Sequence, residues 1–125
     1  MNPLRIALFT LILGAASLVH GQQATERFVP LGQSPGMSGM TTLIGSIGAV
    51  DSRNASLAVQ SGAGSQPVKV TKTTRIWLDR SAARQSTQVA TMADMRPGQR
   101  IEVKFTDAAN RTTADWIKID AGTPP

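Results

Sequence analysis

The stretch "PVKVTKTTRIWL", residues 67–78, decides the fold class. Its even positions are apolar over most of its length, and most of its odd positions are polar or charged. A period of two is typical of a strand with one face turned to a core. The pattern predicts one long strand with two faces: Val68, Val70, Ile76 and Leu78 inward, and Lys69, Thr71, Thr73, Arg75 and Trp77 outward.

Four further segments carry strand signals: residues 41–50, 56–60, 100–106 and 114–120. In "RIEVKFT" the alternation places Ile101, Val103 and Phe105 inward and Glu102 outward. Residues 79–99 break the pattern and predict a connection with short helical turns. Five strands with such a connection between the third and the fourth predict an all-β fold, a small five-stranded OB-like barrel. An open sandwich is the alternative, but it usually has about seven strands.

The first 21 residues have the layout of a secretory signal peptide. Arg5 precedes an apolar run from Ile6 to Val19, which is shorter than the roughly 20 residues that span a bilayer. We therefore expect cleavage after Gly21 and export to the periplasm or the cell exterior. The remaining chain divides into a flexible lead-in at 22–40, a barrel domain at 41–120 and a disordered tail at 121–125.

Missing residue types exclude several kinds of site. The chain has no Cys and no Tyr, and its one His, His20, lies in the predicted leader. Zinc sites built from His or Cys, cysteine nucleophiles and Ser-His-Asp triads are therefore excluded after cleavage. We expect a non-catalytic protein without a cofactor. The formal charge of +5 favours anionic partners in general and specifies none.

Four segments resemble a family of small secreted bacterial OB-like barrels of unknown function: "IGSIGAVDSRNASLAVQ" (44–60), "VKVTKTTRIW" (68–77), "MADMRPGQRIEVKF" (92–105) and "ADWIKI" (114–119). The same outline is similar to the CusF type of periplasmic copper and silver chaperones. In that family a tryptophan near a strand end lies over Cu(I) held by one His and two Met. Trp77 has a comparable place, but "LDRSAARQ" follows it without Met, so the resemblance implies the fold and not the metal ligands.

A basic and aromatic cluster is the main candidate for ligand binding. It comprises Trp77, Lys69, Arg75, Arg80 and Arg84. Stacking and positive charge would suit an anionic envelope glycan or a lipid head group, and export disfavours nucleic acid. The alternative interpretation is structural: Trp77 covers the barrel end, with Arg75 or Arg80 stacked on it. A third possibility is a barrel that only assembles with another envelope protein.

Four methionines support a second hypothesis, a soft-metal carrier for Cu(I) or Ag(I). The candidate donors are Met37, Met40, Met92 and Met95. Thioethers are soft ligands that suit Cu(I). Met92 and Met95, however, fall where the resembling families place apolar residues that plug the barrel end, and Met readily fills irregular gaps in a core. We expect these two side chains to be core filler.

Overall fold

The computed structural model describes residues 26–33 and 41–122. Seven strands are present: β1 (Thr42–Asp51), β2 (Ser56–Ser61), β3 (Gly64–Lys69), β4 (Arg75–Asp79), β5 (Gln88–Val89), β6 (Arg100–Phe105) and β7 (Ala114–Asp120). Three short 3-10 turns accompany them: Glu26–Phe28, Ser81–Ala83 and Met92–Asp94. The predicted signal peptide and the last three residues of the predicted tail lie outside the described residues. No helix within the described ranges is long and apolar enough to cross a bilayer.

The strands form one sheet in the order β3-β2-β1-β6-β7-β4-β5. Neighbouring strands are antiparallel except for β4 and β7, which run parallel. Their register pairs Arg75 with Trp116 at one end and Asp79 with Asp120 at the other. Because β6 is antiparallel to β7, the start of β6 lies at the same end of the sheet as Asp79 and Asp120.

The all-β class is confirmed, but the count of five strands and the closed barrel are corrected. The predicted strand over residues 67–78 ends at Lys69 and resumes at Arg75. Between them the Thr71 N–H donates to Thr74 Oγ1 at 2.9 Å, and the Thr74 N–H donates to the Thr71 carbonyl at 3.2 Å. This turn sends β3 to pair with β2 and β4 to pair with β7, which gives two short strands in place of one long strand.

The edges of the sheet are not joined by a ladder within the described ranges. Edge strand β3 contains Pro67, which cannot donate to a further strand. Its end is covered instead, because the Lys69 N–H donates to the Thr112 carbonyl at 2.8 Å. At the other edge, β5 has only two residues. The predicted helical connection is not confirmed as α-helix: residues 79–99 hold two 3-10 turns of three residues each, with β5 between them.

The hydrophobic core lies on one face of the sheet. Ile101, Val103 and Phe105 are at most 1% exposed, which confirms the alternation predicted for β6. The buried members of the core are Ile47, Leu57, Val59, Val68, Ile76, Ala90, Met95, Ile101, Val103, Phe105, Ala114, Ile117 and Ile119. Val70 and Leu78, both predicted to point inward, pack against this cluster and are partly buried.

The opposite face is buried as well over its central strands. Alternation along β4, β6 and β7 places Trp77, Glu102, Trp116 and Lys118 on this face. All four are at most 5% exposed, so the outward position predicted for Glu102 is on a covered surface and not in solvent. The chain buries two layers, one apolar and one of aromatic and charged side chains.

Residues 26–33 lie across this second face, and we refer to them as the strap. The Leu31 N–H donates to Asp79 on β4, and the Gly32 N–H donates to Glu102 on β6. Because β7 runs between β4 and β6, the strap crosses β7 near Lys118. This part of the predicted flexible lead-in is packed on the sheet, whereas residues 22–25 and 34–40 lie outside the described residues.

Candidate functional site

The structure places Trp77 inside the second layer. The ring is 5% exposed and packs against Trp116, with 5.8 Å between ring centroids and a tilt of 36°. The Arg75 guanidinium lies 5.6 Å from the Trp77 centroid and 3.4 Å from Asp115 Oδ2. Arg75 is therefore stacked on Trp77, as the structural alternative expected, and the indole is not presented to solvent as a stacking platform.

The other predicted ligand residues are divided between two ends of the sheet. Lys69 ends β3 beside Thr113, just before β7 begins, and Arg75 starts β4 at the same end of the sheet, paired with Trp116. Arg80 and Arg84 follow the opposite end of β4. The Arg80 Nε donates to the Ser86 carbonyl at 2.8 Å, and Arg84 is exposed in the left-handed conformation with φ of 57°. These side chains do not converge on one site.

The two methionines in the described ranges, Met92 and Met95, pack with the hydrophobic core. Met95 belongs to the core at 5% exposure, and Met92 packs against that core. Both positions agree with the expectation of core filler. Met37 and Met40 lie outside the described residues. Within the described ranges, no group of three or more His, Cys, Asp or Glu side chains is placed to hold a metal ion.

One open concave surface was not predicted from the sequence. A cleft of about 580 Å³ lies at the end of the sheet where β6 begins and β7 ends. We call it the arginine cleft, and its lining residues are Arg96, Pro97, Gly98, Gln99, Arg100, Asp120, Ala121 and Gly122. The signal for it was present in "MRPGQR", residues 95–100, where two arginines flank a turn, but they can be linked to the end of β7 only once the β6–β7 pairing is known.

A second cleft of about 390 Å³ adjoins the first and shares Arg100 and Asp120 with it. The strap forms one wall of this second cleft, through Pro30, Leu31 and Gln33. Asp79, Ser81 and Ala82 also line it. The strap is therefore both a cover for the second layer and a boundary of an open surface.

The charges beneath the strap form a connected group. Lys118 Nζ lies 4.0 Å from Glu102 Oε1 and 4.7 Å from the Trp116 ring centroid. Lys118 and Glu102 are 1% and 2% exposed, so both side chains are almost fully removed from water. A buried charge of either sign is costly unless a partner compensates it. The two residues face each other in the β6–β7 register, which fixes the pair.

Asp79 is the third charge of this group. Burial raises the pKa of its carboxyl, but hydrogen bonds from Leu31 and Ser81 and the positive charge of Lys118 outweigh burial, so the pKa lies below the ordinary value of 3.8. The Leu31 N–H donates to Oδ2 at 2.6 Å and the Ser81 N–H to Oδ1 at 2.8 Å. Asp79 is therefore an ionised acceptor that anchors the strap at neutral pH.

Comparisons with known proteins add one likeness. No family model matches the chain, and no curated protein matches it. The chain is similar to CusF in structure. The crystal structure of Ag(I)CusF aligns at 12% identity with a TM-score of 0.43, covering 62% of this chain and 93% of that chain. The similarity to the CusF type that was stated from the sequence is thus found again among solved structures, at low identity, and it carries no conclusion about a ligand.

Proposed function

We propose that this protein is an exported, non-catalytic binding module that holds an anionic group at the arginine cleft. The ligand chemistry is a phosphate or carboxylate, as carried by an envelope glycan or a lipid head group. The observation that supports the proposal is the placement of Arg96 and Arg100 on one open cleft, with neither guanidinium within 4.0 Å of a carboxylate in the described ranges. Guanidinium groups are well suited to bidentate contact with such anions.

The balance of charge at the cleft favours an anion. Two guanidinium groups line it against one carboxylate, that of Asp120. Asp120 Oδ1 already accepts the Gly122 N–H at 2.9 Å, which engages part of its negative charge locally. Both arginines are exposed, so an anion can reach them without displacing protein. Contacts of this kind in water are individually weak, and we expect salt-dependent binding.

The proposal moves the ligand site away from the cluster first selected from the sequence. Trp77 is enclosed and Arg75 is engaged with Asp115, so neither is as available as the arginines of the cleft. The soft-metal alternative has less support, because Met95 is in the core. Export and the lack of catalysis rest on the sequence: the leader-like first 21 residues, and the absence of Cys and of any His beyond residue 20.

Binding to anionic vesicles and to an anionic glycan would test the proposal. Vesicles of phosphatidylglycerol are compared with vesicles of phosphatidylcholine, and heparin with neutral dextran, at low salt. The variant Arg96→Gln/Arg100→Gln is compared with Arg53→Gln/Lys72→Gln, which removes the same charge from another exposed region. We expect the cleft variant to lose roughly tenfold or more in affinity for one anionic probe, which is the size of about 1.4 kcal/mol, and the control variant to lose much less.

Comparing the vesicles with heparin distinguishes a lipid head group from a glycan as the source of the anion. Equal losses in both variants would contradict the proposal, because they would show attraction by net charge alone. Absence of binding to either anionic probe would also contradict it. Mass spectrometry of the exported protein tests the location separately, since the expected mature chain begins at Gln22.

A further inference from the structure

We infer that the strap occupies a peptide-docking groove, and that this groove binds an extended segment of another protein in place of residues 26–33. The expected segment carries an apolar residue followed by glycine, and it is recognised through its main chain. The inference does not rest on the arginine cleft. It follows from how the strap is held, from what holds the groove in shape, and from a donor that the strap leaves unused.

The strap is held through consecutive main-chain N–H groups. Leu31 donates to Asp79 Oδ2 at 2.6 Å, and Gly32 donates to Glu102 Oε1 at 3.2 Å. Hydrogen bonds to ionised carboxylates are stronger than those between neutral groups. Because the donors belong to the backbone, any extended peptide can supply them, which is the usual basis of main-chain recognition.

Selectivity comes from two side-chain positions in the strap. The Leu31 side chain is 7% exposed, so the groove encloses one apolar residue. Gly32 has φ of +82°, and a Cβ there would lie 3.4 Å from Arg100 Nη2 and 3.8 Å from Ile44 Cδ1. A left-handed conformation is unfavourable for residues with a side chain. By contrast, Phe28 is 58% exposed and contributes little to the fit.

The two carboxylates that accept the strap's N–H groups are also held by contacts with the rest of the fold. Asp79 is held from its own strand end by the Ser81 N–H at 2.8 Å. Glu102 is opposed by Lys118 across the β6–β7 pair, and Lys118 lies on the Trp116 ring. These acceptors are thus positioned before a peptide arrives, which lowers the cost of binding one.

One donor in the buried layer that the strap crosses has no hydrogen-bond partner among the described residues. Trp116 is fully buried, yet its Nε1 donor has no hydrogen-bond partner in the described part of the chain. A buried donor without a partner costs about 1–3 kcal/mol. A carbonyl from a better-fitting peptide would satisfy the indole. The strap is therefore an incomplete occupant, and a segment that adds this bond can replace it.

The test uses a labelled peptide with the sequence of residues 26–33, ERFVPLGQ. It is added to the full chain and to the variant Leu31→Ser, in which the strap is weakened. In the wild-type chain the tethered strap competes at an effective concentration of about millimolar. We therefore expect the peptide to bind the variant roughly tenfold or more tightly than the wild type, with a change in tryptophan fluorescence.

Matched controls separate the groove from other surfaces. A peptide carrying Gly32→Val should lose the binding, and Asp79→Asn in the Leu31→Ser chain should weaken it. If Leu31→Ser does not fold, Gly32→Val in the full chain replaces it, because that change places a left-handed backbone strain in the strap. Equal binding to wild type and variant, or no binding to a folded variant, would overturn the inference. Dimers of the wild-type chain that Leu31→Ser abolishes would also overturn it, since a second copy would then be the partner.

Discussion

Replacing Lys118 by Met should destabilise the protein far more than a change at a strand position normally would. The substitution keeps most of the side-chain volume but removes the positive charge beneath the strap. Glu102 is then left 2% exposed with its compensating cation gone. Removing one partner of a buried ion pair costs about 3–5 kcal/mol, because the remaining charge stays out of water. That is a large part of the roughly 5–15 kcal/mol that stabilises a typical domain.

The reciprocal change, Glu102→Gln, should cost less, about 1–2 kcal/mol. Lys118 would still have the negative charge of Asp79 nearby and the Trp116 ring at 4.7 Å. The amide oxygen of Gln could also accept the Gly32 N–H. In the double variant neither charge is left without its partner, and the loss should fall below about 2 kcal/mol. The double-mutant cycle therefore predicts a coupling free energy between Lys118 and Glu102 of about 2 kcal/mol or more.

Urea unfolding followed by tryptophan fluorescence would measure the free energy of unfolding of the wild type, the two single variants and the double variant. The signal is suitable because both tryptophans of the chain lie in the affected layer. The m-value should stay constant if the variants change stability alone. Additive effects, with a coupling free energy below about 0.5 kcal/mol, would refute the reasoning. They would show that Lys118 and Glu102 are each solvated in solution, and that the strap does not enclose this layer.

Three further perturbations follow from the structure. The contribution of Asp79 to stability is present above pH 3.8, its ordinary pKa, and is lost as the pH falls through the lower pKa of the folded state. Asp79→Asn should therefore lower the free energy of unfolding at pH 7 and lower it much less in acid, as measured by unfolding at each pH. A difference between wild type and variant that does not change with pH would contradict this. Gly45→Ala should cost about 1–3 kcal/mol by overpacking, because its Cβ would collide with the Gln60 carbonyl. Gly48→Ala is the matched control in thermal unfolding, since its Cβ would meet only the movable Gln60 side chain. Similar losses of stability in the two variants would contradict the close approach of Gly45 to the Gln60 backbone. Met95→Leu should cost less than about 1.5 kcal/mol and leave Cu(I) titration unchanged, whereas weakened Cu(I) binding would restore the metal hypothesis.

The sequence predicted those parts of the fold that depend on local alternation. In β6 the apolar residues Ile101, Val103 and Phe105 repeat every second position, and each is buried in the core. The strand pattern is a property of neighbouring residues, so it can be found without knowing the partners. The core position of Met95 was expected for a different reason: the resembling families place apolar residues there, and Met fills irregular gaps in a core.

The break between β3 and β4 could not be predicted in this way. Residues 70–74, "VTKTT", keep the strand-like alternation and the β-branched residues that strands prefer. What ends the strand is a turn closed by Thr71 and Thr74, and what separates β3 from β4 is their choice of different partners, β2 and β7. Partner choice is a tertiary property. For the same reason the arginine cleft, assembled from the starts and ends of different strands, was missed.

The second buried layer was hidden for a different reason. The alternation in "ADWIKID" places Trp116 and Lys118 opposite the core, and a lysine at such a position normally indicates a solvated face. The strap sequence "ERFVPLGQ" has no period that would predict packing, because the strap is held by main-chain hydrogen bonds and by one buried leucine. Main-chain hydrogen bonds do not depend on the side-chain pattern, so they cannot be recognised in the sequence. Composition alone therefore assigns the segment to a flexible lead-in.

The charges under the strap also bear on how easily it can exchange. When the strap leaves, the N–H bonds to Asp79 and Glu102 are lost and Leu31 is exposed, which opposes release. At the same time Lys118 and Glu102 regain water, and the desolvation cost of a buried ion pair is of the same order as the attraction between its members. Rehydration therefore offsets part of the lost hydrogen bonding, so opening costs less than the two bonds and the buried leucine suggest. An apolar second layer would have no such offset, and a strap sealed on it would be a poor competitor to exchange with.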